Sequence, residues 1–580
     1  MKLDIAFLDL TRFPDANGHY GRRPISYGIL AAYLAKHGYT SASHAGPLAN
    51  FPHALNSLLA EHLIRLFGLY CDYDNQTEVE SAIRVIKLHS SVPVIVGGPQ
   101  SRVLSDTFLA RTQCDYVAVG EGEITLLSLL NALVKHDRAT TSIPGLLICG
   151  SDGTIYATGE PELLPSLDDI PPNHKLIQLS PVPQTDTLQV LSSRGCPYHC
   201  TYCHESSSTV RYRSIPHIVC EIESALAANP DIRKVFFFDN TSTLSLERLA
   251  ELCDQMQRLR ERWDFVWGCE SHIHFINRAP ELLQRMVDTG LVRLQIGIES
   301  GNLEMLRRYR KGITPESSLM AVRSAQLAGV PFIKTNFILG GPEESWESVE
   351  DSLSLAKALT DAAPGHMEIT TSFLAPYPLS DIATHPDRYG LRIVDPASWS
   401  CFDSMTYPVA ETRHMSRADL STAMQRFQRE LRTTMMAHVN QLGRRDIKRL
   451  FMYHYKYGLN GPWISLLQER SAVARFFELV YIDHAAEADQ DLPFGNLLDM
   501  RPVRTLDMDE ISNPALFADR VSLNPIDLRF LEFSTGKLTT AQLWQEFADL
   551  KEKDDFAGIT GLENVIRKLT DLYLLTFMEL

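Results

Sequence analysis

The chain has 580 residues, of which 44% are hydrophobic and 22% charged, and its formal net charge is −16. At about 150 residues per domain this length suggests roughly three or four domains, and the composition excludes a disordered chain. The acidic balance argues against a general binder of phosphate backbones, so no nucleic-acid partner is expected. No run of about 18 apolar residues occurs, so no membrane span is expected. Met1-Lys-Leu-Asp-Ile lacks the pattern of a secretory signal, which points to the cytoplasm.

Residues 1–135 alternate strand and helix patterns. Leu3–Leu10 reads as a strand and Ile25–His37 as a helix. Arg65–Cys71, Val92–Val96 and Tyr116–Val119 are short apolar runs; the last two are followed by Gly97-Gly98-Pro99-Gln100 and Gly120-Glu121-Gly122-Glu123. Such alternation predicts a Rossmann-like α/β domain whose ligands bind at the carboxyl ends of a parallel sheet. Residues 136–185 are rich in turn formers and read as a linker with a small β segment. Residues 186–395 carry six strand–helix repeats, with strands near Leu188–Ser193, Lys234–Asp239, Phe265–Glu270, Arg293–Glu299, Phe332–Leu339 and Met367–Phe373. Six units predict a partial (β/α)6 barrel with its chemistry at the strand ends. Residues 396–505 read as a helical connector. Residues 506–580 read as a winged-helix-like module, with helices near Leu528–Phe533, Thr540–Leu550 and Gly561–Leu569 and an apolar strand-like end.

Ten cysteines in a chain of this kind do not form a disulfide framework; a tight cluster points instead to metal or catalysis. Cys196, Cys200 and Cys203 form such a cluster in Ser193-Arg-Gly-Cys196-Pro-Tyr-His-Cys200-Thr-Tyr-Cys203, directly after the first barrel strand. Cysteine thiolates hold iron–sulfur clusters. Three of them leave one iron of a 4Fe-4S cubane open for the amino and carboxylate groups of S-adenosylmethionine. A structural zinc would want a fourth Cys or His, and His199 and His204 are nearby.

With Phe238-Asp239-Asn240, Ile296-Gly-Ile-Glu299-Ser300-Gly301 and Ile338-Leu339-Gly340-Gly341-Pro342-Glu343-Glu344 at later strand ends, residues 185–380 resemble the radical S-adenosylmethionine (SAM) superfamily. The resemblance implies that Glu299 and Ser300 approach the ribose or amino acid part of the cofactor, that the backbone at Leu339 and Gly340 approaches the adenine, and that Asp239 and Asn240 line the same site. Residues 1–135 resemble the cobalamin-binding domain that precedes the barrel in cobalamin-dependent members. There Gly97, Gly98, Gln100, Gly120, Glu121 and Gly122 would hold the corrin ring and its nucleotide tail. The Asp-x-His whose histidine ligates cobalt in other cobalamin domains is absent.

The layout most resembles the tryptophan 2-methyltransferases of thiopeptide antibiotic biosynthesis. It implies a methyltransferase that moves a methyl group from SAM via methylcobalamin to an unactivated carbon, C2 of tryptophan being one candidate. By that resemblance Glu270 would close the open iron and favour polar methyl transfer, and Tyr309 is a candidate substrate proton acceptor. A radical cyclase or rearrangement enzyme, including one that closes a tetrapyrrole ring, and a modifier of leader-bearing peptides are the alternatives. The expected partners are a small molecule or peptide and an external electron donor.

Overall fold

The computed structural model describes residues 1–13, 24–104, 106–150, 154–172, 176–180, 186–205, 208–394, 407–483, 485–486, 492–511, 523–547 and 558–578. They divide into two units, Met1–Leu431 and Arg432–Leu580.

The first unit begins with a sheet in which Ser41–Pro47, Ile5–Thr11, Phe67–Tyr70, Val94–Gly97 and Tyr116–Ala118 lie side by side and parallel. Helices Ile25–Lys36 and Glu123–Lys135 pack one face, through Tyr27, Leu34, Leu126, Leu129 and Leu130. Helices Phe51–Glu61 and Gln76–His89 cover the other. The latter buries Val79, Ala82, Ile83 and Ile86, the three-and-four spacing that puts side chains on one helical stripe. Strand order reverses between Ile5–Thr11 and Phe67–Tyr70, the place where open α/β sheets bind ligands. Tyr27 ties the two strands: its hydroxyl donates to the Leu8 carbonyl at 2.7 Å and accepts from the Tyr70 N–H at 2.8 Å.

One feature departs from the expectations: Ser41–Pro47 is a strand that no apolar run announces. Within residues 136–185, Leu146–Cys149 and Ile155–Ala157 extend the sheet antiparallel and Ile177–Gln178 adds to its far edge. Pairing with a preformed edge makes these short segments strands.

The same unit continues with a six-stranded parallel sheet in chain order: Thr187–Val190, Lys234–Phe237, Val266–Ser271, Leu291–Glu299, Phe332–Leu339 and Met367–Phe373. This is the six-unit partial barrel expected. Its helices start on side-chain caps: Ser214, Ser245, Thr314 and Ser345 each accept a hydrogen bond from a first-turn N–H. Each cap satisfies a donor the helix itself leaves open, at about 1 kcal/mol apiece.

The second unit holds helices Arg444–Tyr457, Pro462–Gln468 and Ser471–Tyr481, followed by an antiparallel pair, Arg501–Arg504 with Leu575–Met578. That pair and helices Pro525–Phe533, Thr540–Glu546 and Gly558–Asp571 share one core containing Leu497, Leu506, Phe530, Leu543, Ile566 and Phe577. The core therefore spans the expected division at 505/506. Residues 548–550 of the expected helix Thr540–Leu550 lie outside the described residues. Among the described residues, no helix is long and apolar enough to cross a membrane.

Candidate metal centre

Cys196, Cys200 and Cys203 leave the first barrel strand on one loop, and all three are free, half-buried thiols. The loop's start is anchored first. The N–H groups of Ser192 and Ser193 donate to Asp239 Oδ1 at 2.6 and 2.9 Å, and the Ser192 hydroxyl donates to Oδ2 at 2.5 Å. Asp239 is thus spent on holding the loop, while its neighbour Asn240 is exposed. Ser193–Arg194 then pairs antiparallel with Arg211–Tyr212, so the cluster segment is the tip of a hairpin. At Gly195 the backbone has φ +91°, and a Cβ there would run into the Thr209 carbonyl. Beyond it, the Cys196 N–H donates to Ser208 Oγ at 2.7 Å and the Ser208 N–H to the Cys196 carbonyl at 2.9 Å. The middle of the loop is tied by Thr201, whose N–H and hydroxyl donate to the carbonyls of Tyr309 and Arg308 at 3.1 and 3.0 Å.

Burial pushes the Cys203 thiol up to about 11, and it raises Cys200 against the opposing pull of the Lys311 ammonium. Thiolates in such a site need a positive partner. Lys311 is buried and donates to Glu299 Oε1 and to the Tyr202 hydroxyl, both at 3.0 Å. Burial works against its charge, but Glu299 and the cysteines hold its pKa above the ordinary value. Lys311 is not among the residues expected from the sequence; the available signal is a lysine followed by glycine after the fourth strand end. Three free thiols on an anchored loop beside a buried cation suit a group that takes three thiolates. Among the described residues, no three His, Cys, Asp or Glu side chains converge as a single metal ion requires.

The other expected cofactor residues spread around this loop. Glu299, at φ +70°, is bound by Lys311 and by the Tyr202 hydroxyl at 3.2 Å. Ser300 is buried against the Ser352 hydroxyl at 3.1 Å. Leu339 is buried, and Gly340, at φ +84°, donates its N–H to Glu344 at 3.1 Å. Glu270 stands beside Gln295, Lys334 and Glu368 in one register row across four strands, with its Oε1 accepting from Gln295 Nε2 at 3.1 Å. Burial pushes its carboxyl up to about 7. Tyr309 falls outside the polar site. It is fully buried among Met305, Ile338 and Leu374, its hydroxyl has no hydrogen-bond partner, and burial raises its pKa well above the usual value. That surrounding does not suit a proton acceptor that must meet a substrate; its backbone carbonyl holds Thr201 instead.

At the carboxyl end of the first sheet, Gly97 faces open space, whereas Gly98, at φ +107°, lets the backbone pass the Cys71 carbonyl where a Cβ would meet it at 2.6 Å. Gln100 is buried, with Nε2 on Gln76 and Oε1 without a partner. Gly120 packs on Pro161 and Gly122 near Leu30. Glu121 is engaged by two arginines of the cluster hairpin, Arg194 and Arg211. From the loop after Phe67–Tyr70, the Tyr73 ring lies 5.3 Å from His204, next to Cys203, and 4.7 Å from Tyr377. The open glycine and the orphaned Gln100 oxygen fit a large ligand at this end of the sheet.

Residues 190–356 match the model of the Radical SAM superfamily. This segment, which holds the cysteine hairpin and most of the second sheet, is similar to that superfamily. The chain is 27% identical over 362 residues to an uncharacterized methyltransferase of Pyrococcus horikoshii, covering 61% of this chain and 74% of that one. It is 25% identical over 351 residues to the anaerobic magnesium-protoporphyrin IX monomethyl ester cyclase of Cereibacter sphaeroides, covering 57% of this chain and 56% of that one. Among solved structures, the chain is similar to the methyltransferase TsrM from Kitasatospora setae with cobalamin and a 4Fe-4S cluster bound. The TM-score is 0.61 at 17% identity, over 82% of this chain and 99% of that one, and the likeness is one of fold.

Proposed function

We propose that this chain is a cobalamin-dependent radical SAM methyltransferase that takes a methyl group from SAM to an unactivated carbon of a small molecule. The observation that carries the reading is the hairpin of Cys196, Cys200 and Cys203, which contacts the carboxyl-end loops of a Rossmann-like sheet through Glu121 and Tyr73. Methyltransferases among its relatives, and a cobalamin-bound neighbour of the same fold, support it.

The three cysteines would hold the cluster, and Lys311 would offset its negative charge. Glu299 and the backbone at Gly340 would receive SAM. Gly97, Gly98 and Gln100 would receive the corrinoid. When bound, the corrinoid would supply a methyl carrier, and with the open iron closed SAM would give up its methyl group by a polar step. The chain's own work is to hold these groups at fixed places and to keep water out, with buried Tyr309 and Leu374 behind the loop. Glu270 has one oxygen on Gln295, and its other oxygen would be the one to close the open iron.

Anaerobic reconstitution with iron, sulfide and hydroxocobalamin, then incubation with SAM and tryptophan, tests the proposal. Bound iron and corrinoid, with S-adenosylhomocysteine formed in step with a methylated product, are expected. Protein that elutes without a corrin band overturns the cobalamin reading. Stoichiometric 5′-deoxyadenosine overturns the role given to Glu270. The likeness to the cyclase favours one second reading, ring closure of a tetrapyrrole ester, and magnesium-protoporphyrin monomethyl ester as the trial substrate separates it.

A further inference from the structure

We propose that Arg194 is the positioning residue of the cluster loop: clamped by Glu121 and Glu123 of the first sheet, it fixes where Cys196 stands. The inference rests on reading Cys196, Cys200 and Cys203 as cluster ligands.

Arg194 lies two residues before Cys196. Its Nη1 donates to Glu121 Oε2 at 2.6 Å and its Nη2 to Glu123 Oε1 at 2.6 Å, with a longer Nη1 contact to Glu123 Oε2 at 3.3 Å. The guanidinium fork suits this two-carboxylate grip, and lysine, a point charge, could not reproduce it. Glu123 is almost wholly buried in the first turn of helix Glu123–Lys135, where the helix dipole favours a carboxylate. The second oxygen of Glu121 is taken by Arg211, which pairs directly with Arg194 across the hairpin and also donates to the Leu164 carbonyl at 3.0 Å. One carboxylate therefore pins both arms of the hairpin.

Between the clamp and the thiol there is little slack. Gly195 is pressed against Thr209, and Cys196 is closed on both backbone groups by Ser208. A displacement of the Arg194 backbone is passed to Cys196 rather than absorbed. Lys234–Asp186, by contrast, braces the amino-terminal ends of the strands, away from the cysteines. The charged pair in Gly120-Glu121-Gly122-Glu123, which resembles a cofactor loop, is thereby given a second task.

The full chain is reconstituted anaerobically as wild type, Arg194→Gln, Arg194→Lys, Glu123→Gln and Lys234→Gln. Iron and sulfide per chain, the electron paramagnetic resonance spectrum of the reduced cluster, and the melting temperature are measured. Partners one shell behind metal ligands typically change metal retention by roughly tenfold or more. Arg194→Gln is expected to lose iron on that scale and to alter the spectrum, Glu123→Gln to shift both in the same direction, and Arg194→Lys to recover part of the loss. Lys234→Gln should lower the melting temperature with an unchanged spectrum. Wild-type iron and spectrum in Arg194→Gln overturn the inference; if that variant does not fold, the same result in Glu123→Gln does so. A wild-type chain that holds no cluster overturns the ligand reading itself, a distinct failure.

Discussion

The cluster hairpin and the carboxyl-end loops of the first sheet both rely on glycine, but for opposite reasons. Gly195 is pressed so closely on Thr209 that no side chain fits, while Gly97 borders open space. Around Gly195 almost every polar group is spoken for: Asp239 by Ser192 and Ser193, Ser208 by Cys196, Arg194 by two glutamates. Around Gly97, Gln100 keeps a buried oxygen without a partner. The hairpin is finished before any ligand arrives, which suits thiols that must meet a cluster at fixed positions. The sheet end leaves room and a vacant acceptor, which suits a large ligand held by many weak contacts.

The first way to break this comparison is to remove a ligand. Cys196→Ala, Cys200→Ala or Cys203→Ala should abolish most bound iron, sulfide and activity, because three thiolates are the minimum for the site proposed. Iron analysis after anaerobic reconstitution checks it, and a full cubane in any of the three would remove the assignment. The second way is to fill the two glycines. Gly195→Ala must leave a left-handed backbone and also displace Thr209, so it should cost roughly 1–3 kcal/mol locally and much of the cluster. Gly97→Ala should leave stability and iron near wild type and weaken corrinoid retention alone. Equal iron loss in both variants would erase the distinction between a finished loop and an open one.

The same distinction explains what could be read from the residues. Cysteines at this spacing have few other uses in a chain of this kind, so they stand out as candidate ligands. The barrel strands were legible as well, because buried parallel strands are continuous apolar runs such as Phe332–Leu339. Ser41–Pro47, with two serines, a histidine and a glycine, has no such pattern and becomes a strand by lying against Ile5–Thr11. Glu121 looked like a cofactor contact since glycines flank it, and only the fold brings Arg194 and Arg211 to it. Lys311 was missed for a similar reason: its importance comes from burial beside Glu299, which local sequence does not encode.

Glu344 offers a smaller test, on a loop that is finished in the same way as the hairpin. Its carboxylate accepts from the N–H groups of Gly340 and Gly341 and from the Ser348 hydroxyl, yet burial pushes it from 4.5 up to about 7. Between those values the folded chain holds a proton that the unfolded chain has released. Stability therefore falls as pH rises through this window, and the penalty is complete above it. At about 1.4 kcal/mol per unit the penalty is roughly 3 kcal/mol at most. Glu344→Gln, which stays neutral, should gain on the wild type by up to that amount between about pH 5 and about pH 8 in chemical denaturation. A constant difference across this range would mean that the donors around the loop hold the carboxylate charged throughout.

The smallest effect is expected at Tyr309, and it separates a core residue from a catalytic one. Its ring packs edge-on to Tyr202 at 5.0 Å, and its hydroxyl sits over Gly341 without a hydrogen-bond partner. A buried hydroxyl with no partner costs about 1–3 kcal/mol, so Tyr309→Phe removes a liability and keeps the ring. Stability should be unchanged or rise by up to about 1 kcal/mol, and iron content should stay at the wild-type level. The Thr201 contact is made by the backbone carbonyl of residue 309 and survives the change. Methyl transfer should then proceed at close to the wild-type rate. A base that takes a proton from substrate contributes roughly 10²–10⁴-fold, so a loss on that scale with an intact cluster would place the hydroxyl in the reaction. It would also mean that the apolar pocket of Met305, Ile338 and Leu374 opens when substrate binds, and that this part of the molecule, unlike the hairpin, is not finished in advance.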